Sequence, residues 1–488
     1  MAIQYKWLVL SNTTIATLMA SIDTNIVLIA LPTIGRELPG SSAVALLWIL
    51  LGYSLITAVV LLSFGRLSDM FGRVRLYVLG FAVFTVGSLI CGFSTNGIEL
   101  VSFRMIQAIG AGFLFSNSAA ILTDAFPPGE RGRALGINQV SIVAGSVVGL
   151  VLGGIITSTI GWQWIFFVNV PIGAVATYRA YTDLHELQKP AREEPIDWLG
   201  NLAFGGGLAM VLVALTFGSL GQWNGTEMTA GLVIGILLIV VFVFVEGRVR
   251  FPMLDLGLFR NAQFTDTSLA AFLNAIGRGA FTFVMIFYLQ GPPVYLSPLV
   301  AGLFLIPVSA SLAVAGPLSG FFSDKYGRRW FTTAGLLVTA GGFVWLTTIP
   351  EAAPFALLLA PFVFLGTGMG LFASPNRAAM MSAVPAERRG VASGMGTTLL
   401  NTGSTISLGV TLAILASILP LTTLEAILLG NRANVGPDTA ALFLQGVHVV
   451  FLISAILVLS ALALLVIRNR RHSPGSITDA RVEIAEDG

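Results

Sequence analysis

Long apolar runs fill this chain from near its first residue to beyond residue 460, broken at short intervals by clusters of charged residues, prolines and glycines. A helix needs about 20 mostly apolar residues to cross a bilayer, and the breaks supply natural cuts. Cutting there yields fourteen segments: 7–31, 44–64, 75–94, 98–123, 134–159, 163–182, 197–218, 228–246, 264–290, 298–322, 330–349, 353–381, 391–420 and 442–467. The pattern predicts an all-α membrane protein with fourteen transmembrane helices.

The loop charges agree with this division, because positive residues concentrate on the cytoplasmic side of a membrane protein. Alternate loops hold Arg66, Arg73 and Arg75; Arg131 and Arg133; Lys189 and Arg192; Arg248, Arg250 and Arg260; Lys325, Arg328 and Arg329; then Arg388 and Arg389. The opposite loops carry only Arg36 and Arg432 as cations. Both termini are therefore expected in the cytoplasm, in a multi-pass protein of the plasma membrane. The final residues, with Asp479, Glu483, Glu486 and Asp487, read as a disordered polar tail.

Composition narrows the class. Hydrophobic residues make up 55% of the chain and charged ones 10%, against about 25% charged in soluble domains. The 54 glycines and 21 prolines fall inside apolar runs, where they mark helix contacts and kinks. A net charge of +2 with dispersed cations argues against a nucleic-acid partner. The one cysteine, Cys91, can make no intrachain disulfide. Lys6 precedes a run that continues past any signal-peptide core without a convincing cleavage site, which predicts a retained first helix. His185, His448 and His472 are scattered, and no H-E-x-x-H, G-x-S-x-G or phosphate-binding G-x-x-x-x-G-K-[ST] occurs. These facts argue against an enzyme, a metal site, a cofactor and direct ATP-driven pumping. They leave a carrier of small molecules, expected to be monomeric and driven by an ion or substrate gradient.

The chain also repeats itself. Gly65, Asp69, Gly72 and Arg73 recur as Gly320, Asp324, Gly327 and Arg328, at an offset of 255. Pro128, Glu130 and Arg131 recur as Pro385, Glu387 and Arg388 at 257, and Gly132, Ala134 and Gly136 as Gly390, Ala392 and Gly394 at 258. Six spans end near residue 182, so this offset leaves room for two extra helices. The expected organisation is a six-helix bundle over 1–190, two inserted helices over 191–250, a second six-helix bundle over 251–470, and the tail 471–488. Parallel halves of this kind hold substrate between them near the midplane and favour rocking over a static pore.

Ionisable residues inside a bilayer cost about 2.5–3.5 kcal/mol on insertion scales, so they are functional candidates. Asp23 is the one acid deep within a proposed span, and Arg104 and Arg278 are the clearest deep cations. Asp23 and Arg104 lie roughly 12 and 9 Å below the outer boundary at 1.5 Å per residue, so they can meet. Asp23 then either binds a proton or a cationic substrate under the control of Arg104, or forms a static ion pair with it. Arg278 lines a cavity, serves helix packing or interacts with Asn274 one turn earlier. Asp69 and Asp324 stand in short basic loops, where each can pair with an arginine and with helix-start N–H groups, or remain a solvated loop charge. Glu130 and Glu387 beside Arg131 and Arg388 read equally well as loop salt bridges. Trp162 and Trp164 open the sixth span, where indole prefers the membrane interface. The 33 phenylalanines are no evidence of an aromatic binding cavity, since most face lipid or other helices.

These residues resemble a known family, the fourteen-helix drug:proton antiporter branch of the major facilitator superfamily. The loop Gly65-Arg66-Leu67-Ser68-Asp69-Met70-Phe71-Gly72-Arg73 looks like the superfamily's signature loop. Arg104, Gln107, Gly110 and Gly112 resemble its second motif, and Asp23-Thr24 followed by Ala30-Leu31-Pro32 resembles a motif of this branch. The resemblance implies the major facilitator fold, a central cavity faced by the first and fourth helices, and a cytoplasmic latch at Gly65, Asp69, Gly72 and Arg73 with Asp324 and Arg328. It also implies alternating-access export of hydrophobic small molecules or drugs in exchange for protons. Export of an anionic or neutral metabolite, lipid precursor or peptide, and uncoupled facilitated diffusion, stand as alternatives. The fifth span departs from the family's antiporter motif: Gly145, Gly149, Gly153 and Gly154 keep the spacing for close helix packing, but Leu150 stands where proline is usual.

Overall fold

A computed structural model of the protein describes residues 5–127, 130–187, 197–249, 252, 254–292, 294–385, 389–430 and 438–471, with 62, 69, 132, 139, 324, 389, 390 and 468–471 described as backbone only. Pro128, Lys189, Arg192, Arg250, Glu387, Arg388, Arg432 and the tail from 472 lie outside the described residues. The described part is helical with no strand. The first half contains α1 (Tyr5–Glu37), α2 (Ala43–Phe71), α3 (Arg73–Gly92), α4 (Gly97–Ala125), α5 (Arg131–Thr159), α6 (Trp164–Phe167) and α7 (Asn169–Asp183). Next come α8 (Trp198–Ser219) and α9 (Gly225–Glu246). The second half contains α10 (Ala262–Arg278), α11 (Phe281–Gln290), α12 (Pro298–Tyr326), α13 (Arg328–Leu346), α14 (Phe355–Ser382), α15 (Arg389–Ile418), α16 (Leu421–Leu428) and α17 (Thr439–Arg471).

Twelve of the spans in the described residues are long and apolar enough to cross a membrane, with α10 and α11 counted together over Ala262–Gln290. Segments 163–182 and 330–349 are the two proposed spans that fall short. The first is divided at Val168: Pro171 has no N–H to return to the Phe167 carbonyl, so α6 ends and α7 restarts at Asn169. The second is α13, of 19 residues, which begins with two arginines. The α10–α11 break has its own local cause. Gly279 comes against the backbone of Ser404, and the Ala280 N–H donates to Ser407 Oγ at 3.0 Å rather than up the helix. Short α16 is announced by no long apolar run; it buries Leu424, Ile427 and Leu428.

The duplicated halves make the same backbone contacts. Gly80 of α3 lies against the Gly110 carbonyl of α4, and Gly335 of α13 against the Gly368 carbonyl of α14. Gly87 abuts Gln107, while Gly342 abuts Leu365; Gly112 abuts Val60, while Gly370 abuts Ala315. Both signature loops turn at a glycine that only a residue without Cβ holds easily, Gly72 at φ +106° and Gly327 at φ +93°. Along α5, Gly145, Gly149 and Gly153 press against α1 near Leu18, Ile22 and Ile26, whereas Gly154 turns to the Leu299 backbone of α12.

Contacts between the halves gather at the end away from the arginine-rich loops. There Gly302 meets the Leu150 carbonyl, Gly35 the Leu428 carbonyl and Gly430 the Pro32 carbonyl, and Gln290 Nε2 donates to the Ile29 carbonyl at 3.0 Å. Helix α8 touches both halves: Asn201 Nδ2 donates to Ser63 Oγ of α2, and Leu212 and Leu215 reach Gly409 of α15. Helix α9 rests on α8 through Gly207 and Gly235 and is otherwise largely exposed.

One expectation is corrected. Trp162 is not an interface anchor, being 1% exposed and packed edge-on to Phe166, while Trp164 is 52% exposed. Gly161, at φ +102°, turns the chain so that the first indole enters the bundle and the second stays outside.

Candidate functional site

A polar cluster is sealed inside the first half. Asp23 of α1 and Arg104 of α4 are 0% and 1% exposed, with Arg104 Nη1 2.6 Å from Asp23 Oδ2. The same Nη1 donates to Gln107 Oε1 at 2.7 Å. Asp23 Oδ1 accepts from Gln107 Nε2 at 2.8 Å and from Asn169 Nδ2 at 2.9 Å. Asn169 also donates to Ser88 Oγ at 3.2 Å, and Ser88 donates to the Phe166 carbonyl at 2.9 Å. The guanidinium lies over the Tyr53 ring, 4.1 Å from its centroid. Both carboxylate oxygens are thus engaged by donors, as a buried charge requires.

Local sequence explains the assembly. Glycines 80, 87 and 110 bring α3 to backbone contact with α4, so that Gln107 reaches the cluster from a fixed helix. The α6–α7 break makes Asn169 the first residue of α7. The sequence reading missed Asn169, Ser88 and Tyr53. An asparagine between valines, two residues before a proline in an apolar run, is the one signal that could have found the first.

The second half is arranged otherwise. Arg278 ends α10 at the break, deeply enclosed yet partly accessible, with no hydrogen-bond partner among the described residues. Asn274 is buried one turn earlier; its Oδ1 lacks a partner, and the two side chains share no hydrogen bond. Asn376 Nδ2 donates to the Thr267 carbonyl at 3.1 Å.

At the arginine-rich end, the Asp69 and Asp324 side chains lie outside the described residues. Gly65 has open space around it in α2. Arg73 Nη1 pairs with Asp124 Oδ2 at 2.7 Å, and Arg328 Nη1 donates to Ser382 Oγ at 2.9 Å and the Ala378 carbonyl at 3.2 Å. Glu186 Oε1 accepts from the N–H groups of Val74 and Arg75, capping α3. Lys6 Nζ pairs with Glu130 at 2.7 Å. Asp124 and Glu186 were also missed, since nothing local marks them as partners of a loop over fifty residues away.

The family model for the Major Facilitator Superfamily matches residues 13–248 and 267–485. The chain belongs to the major facilitator superfamily. Among its relatives, a riboflavin transporter of Clostridioides difficile is 31% identical over 81% of this chain and 85% of its own. A multidrug resistance protein of Mycobacterium tuberculosis is 32% identical over 85% of this chain and 77% of its own. The crystal structure of a bacterial homolog of the human lysosomal transporter Spinster, inward-facing and unoccupied, has a TM-score of 0.67 at 18% identity, covering 96% of this chain and 98% of that one. This major facilitator protein is accordingly a membrane transporter of small molecules and not an enzyme.

Proposed function

We propose that the protein exports hydrophobic small molecules across the plasma membrane in exchange for protons, by alternating access. The observation that carries the reading is the Asp23 cluster, a carboxylate on α1 held by Arg104 and Gln107 from α4 and by Asn169 from α7. Relative movement of α1 against α4 and α7 would remove its donors together and leave a group ready to take a proton. With the halves joined at the end away from the arginine-rich loops, we read the state described as inward-facing, with Asp23 held by its donors. The multidrug and riboflavin relatives support a bulky organic substrate. A facilitator is the second reading, favoured by Leu150 at the proline place of the antiporter motif. The test is uptake into everted vesicles of aromatic compounds of each charge class. Accumulation that collapses with a protonophore is expected; equilibration without accumulation would establish facilitated diffusion instead.

Fourteen spans, both termini cytoplasmic and 197–246 lying outside the two bundles complete the proposal, supported by the alternating loop charges and the lipid-exposed α9. The signature loops, with Asp69, Arg73, Asp324 and Arg328, form the cytoplasmic latch. Reporter fusions at residues 225 and 435 are expected to lie outside the cell; cytoplasmic activity at either would defeat the topology.

A further inference from the structure

By its contacts with the fifth helix of each half, the first helix runs at an offset of 254: Gly145 faces the Leu18 carbonyl and Ser21, and Gly403 faces the Phe272 carbonyl and Ala275, which sets Gly277 in the place of Asp23 and Arg278 in the place of Thr24. The matched contacts in the fourth helix of each half run at 258, Gly110 with Gly368 and Gly112 with Gly370. That offset carries Arg104 onto Phe362 and Gln107 onto Leu365, both buried. So the second half keeps the scaffold of the Asp23 cluster but has neither its acid nor its two α4 partners, and sets an arginine one residue further along the helix. Arg278 is left half-buried, with no hydrogen-bond or ion-pair partner among the described residues. Its guanidinium still has accessible surface, and it stands about 24 Å along the span from the start of α10, near mid-membrane.

Arg377 stands nearer the arginine-rich end. Its side chain is exposed and its Nη2 donates to Ser393 Oγ at 3.4 Å, with no acid paired to it among the described residues. Asn376 beside it bonds the Thr267 carbonyl, which puts Arg377 about 16 Å below Arg278 along α10. Asp266 lies on α10 at that lower level, three turns from Arg278. An arginine cannot shed its proton, so a guanidinium near mid-membrane without a protein partner is a standing positive charge that favours an arriving anion.

We infer that Arg278 is the receptor for a negatively charged group on the transported molecule, with Arg377 drawing that group in from the inward-facing mouth, so that the substrate is a lipophilic organic anion. The inference rests on the transporter reading above and narrows its substrate class. Asn274, one turn earlier on the same helix face, is buried with its Oδ1 lacking a hydrogen-bond partner.

The test is equilibrium binding to the full chain in lipid nanodiscs at pH 7. The probes are 1-naphthaleneacetate, 1-naphthalenemethanol and 1-naphthalenemethylamine, which share a ring and differ in charge. The carboxylate is expected to bind about tenfold or more tighter than the alcohol, and the amine weakest. Arg278→Gln should bring the carboxylate down to the affinity of the alcohol while alcohol binding persists, which also reports that the variant is folded. Arg278→Lys should keep part of the preference, and Arg377→Gln should slow carboxylate association more than it weakens binding. A carboxylate that fails to bind, binds no tighter than the alcohol, or keeps its advantage in Arg278→Gln overturns the inference. With no gradient present, failure of proton coupling leaves the result intact, and failure of anion binding leaves coupling to other substrates standing.

Discussion

Asp23→Asn is expected to abolish concentrative, pH-driven transport while downhill movement of a neutral substrate continues. The amide keeps the shape of the carboxylate and can still accept from Gln107 or Asn169, but it cannot ionise or carry a proton. It also leaves Arg104 enclosed without its counter-charge, and breaking such a pair costs about 3–5 kcal/mol, so the variant should be less stable as well as uncoupled. The accumulation ratio in everted vesicles should fall to unity, and substrate-induced proton movement should disappear. Thermal unfolding in detergent would show the accompanying loss of stability. A variant that still concentrates substrate with normal proton movement would remove Asp23 from coupling and make the facilitator reading, with Leu150 as its sign, the better one.

The second large effect is expected at a residue with no chemistry. A Cβ on Gly110 would stand 2.3 Å from the Phe84 backbone nitrogen and 2.8 Å from the Gly80 carbonyl. Neither is a flexible side chain, so α3 and α4 must separate. Gly110→Val should therefore destabilise the protein by about 1–3 kcal/mol or more and disturb Gln107 and Arg104 one and two turns away. Lower yield in the membrane and a reduced melting temperature are the readouts. Gly341→Ala, where a Cβ meets nothing within 4 Å, is the control expected to stay within about 0.5 kcal/mol of the parent. Equal stability of the two variants would show that the close approach at Gly110 is not required.

Much of this was legible in the sequence because a bilayer imposes few solutions. Apolar run length located the helices and the repeat offset located the duplication; depth along two helices was enough to bring Asp23 and Arg104 to one level. The α10–α11 break was not legible, since it depends on a contact as well as a residue: Ala280 gives up its helical bond only because Ser407 is there to accept. Asn169 and Ser88 reach the cluster from segments whose facing is fixed by glycine contacts, which a linear pattern does not reveal. Trp162 misled for a similar reason, its direction being set by the backbone angle at Gly161. The place of Arg278 emerged only when the two halves could be compared contact by contact, because a deep arginine alone does not announce that its half lacks the acid cluster of the other.

Helix α8 is bonded to α2 through Asn201 and Ser63 but meets α15 at the smooth surface of Gly409. If the halves rock as proposed, the inserted pair would travel with the first half and glide over the second, like a sliding door hung on one jamb. The seam between α2 and α15 would then stay shielded from acyl chains through the cycle. A lipophilic molecule entering sideways from the bilayer would be left the opposite seam, between α5 and α12, where Gly154 and Leu299 close the far end and the half nearer the arginine-rich loops is its threshold.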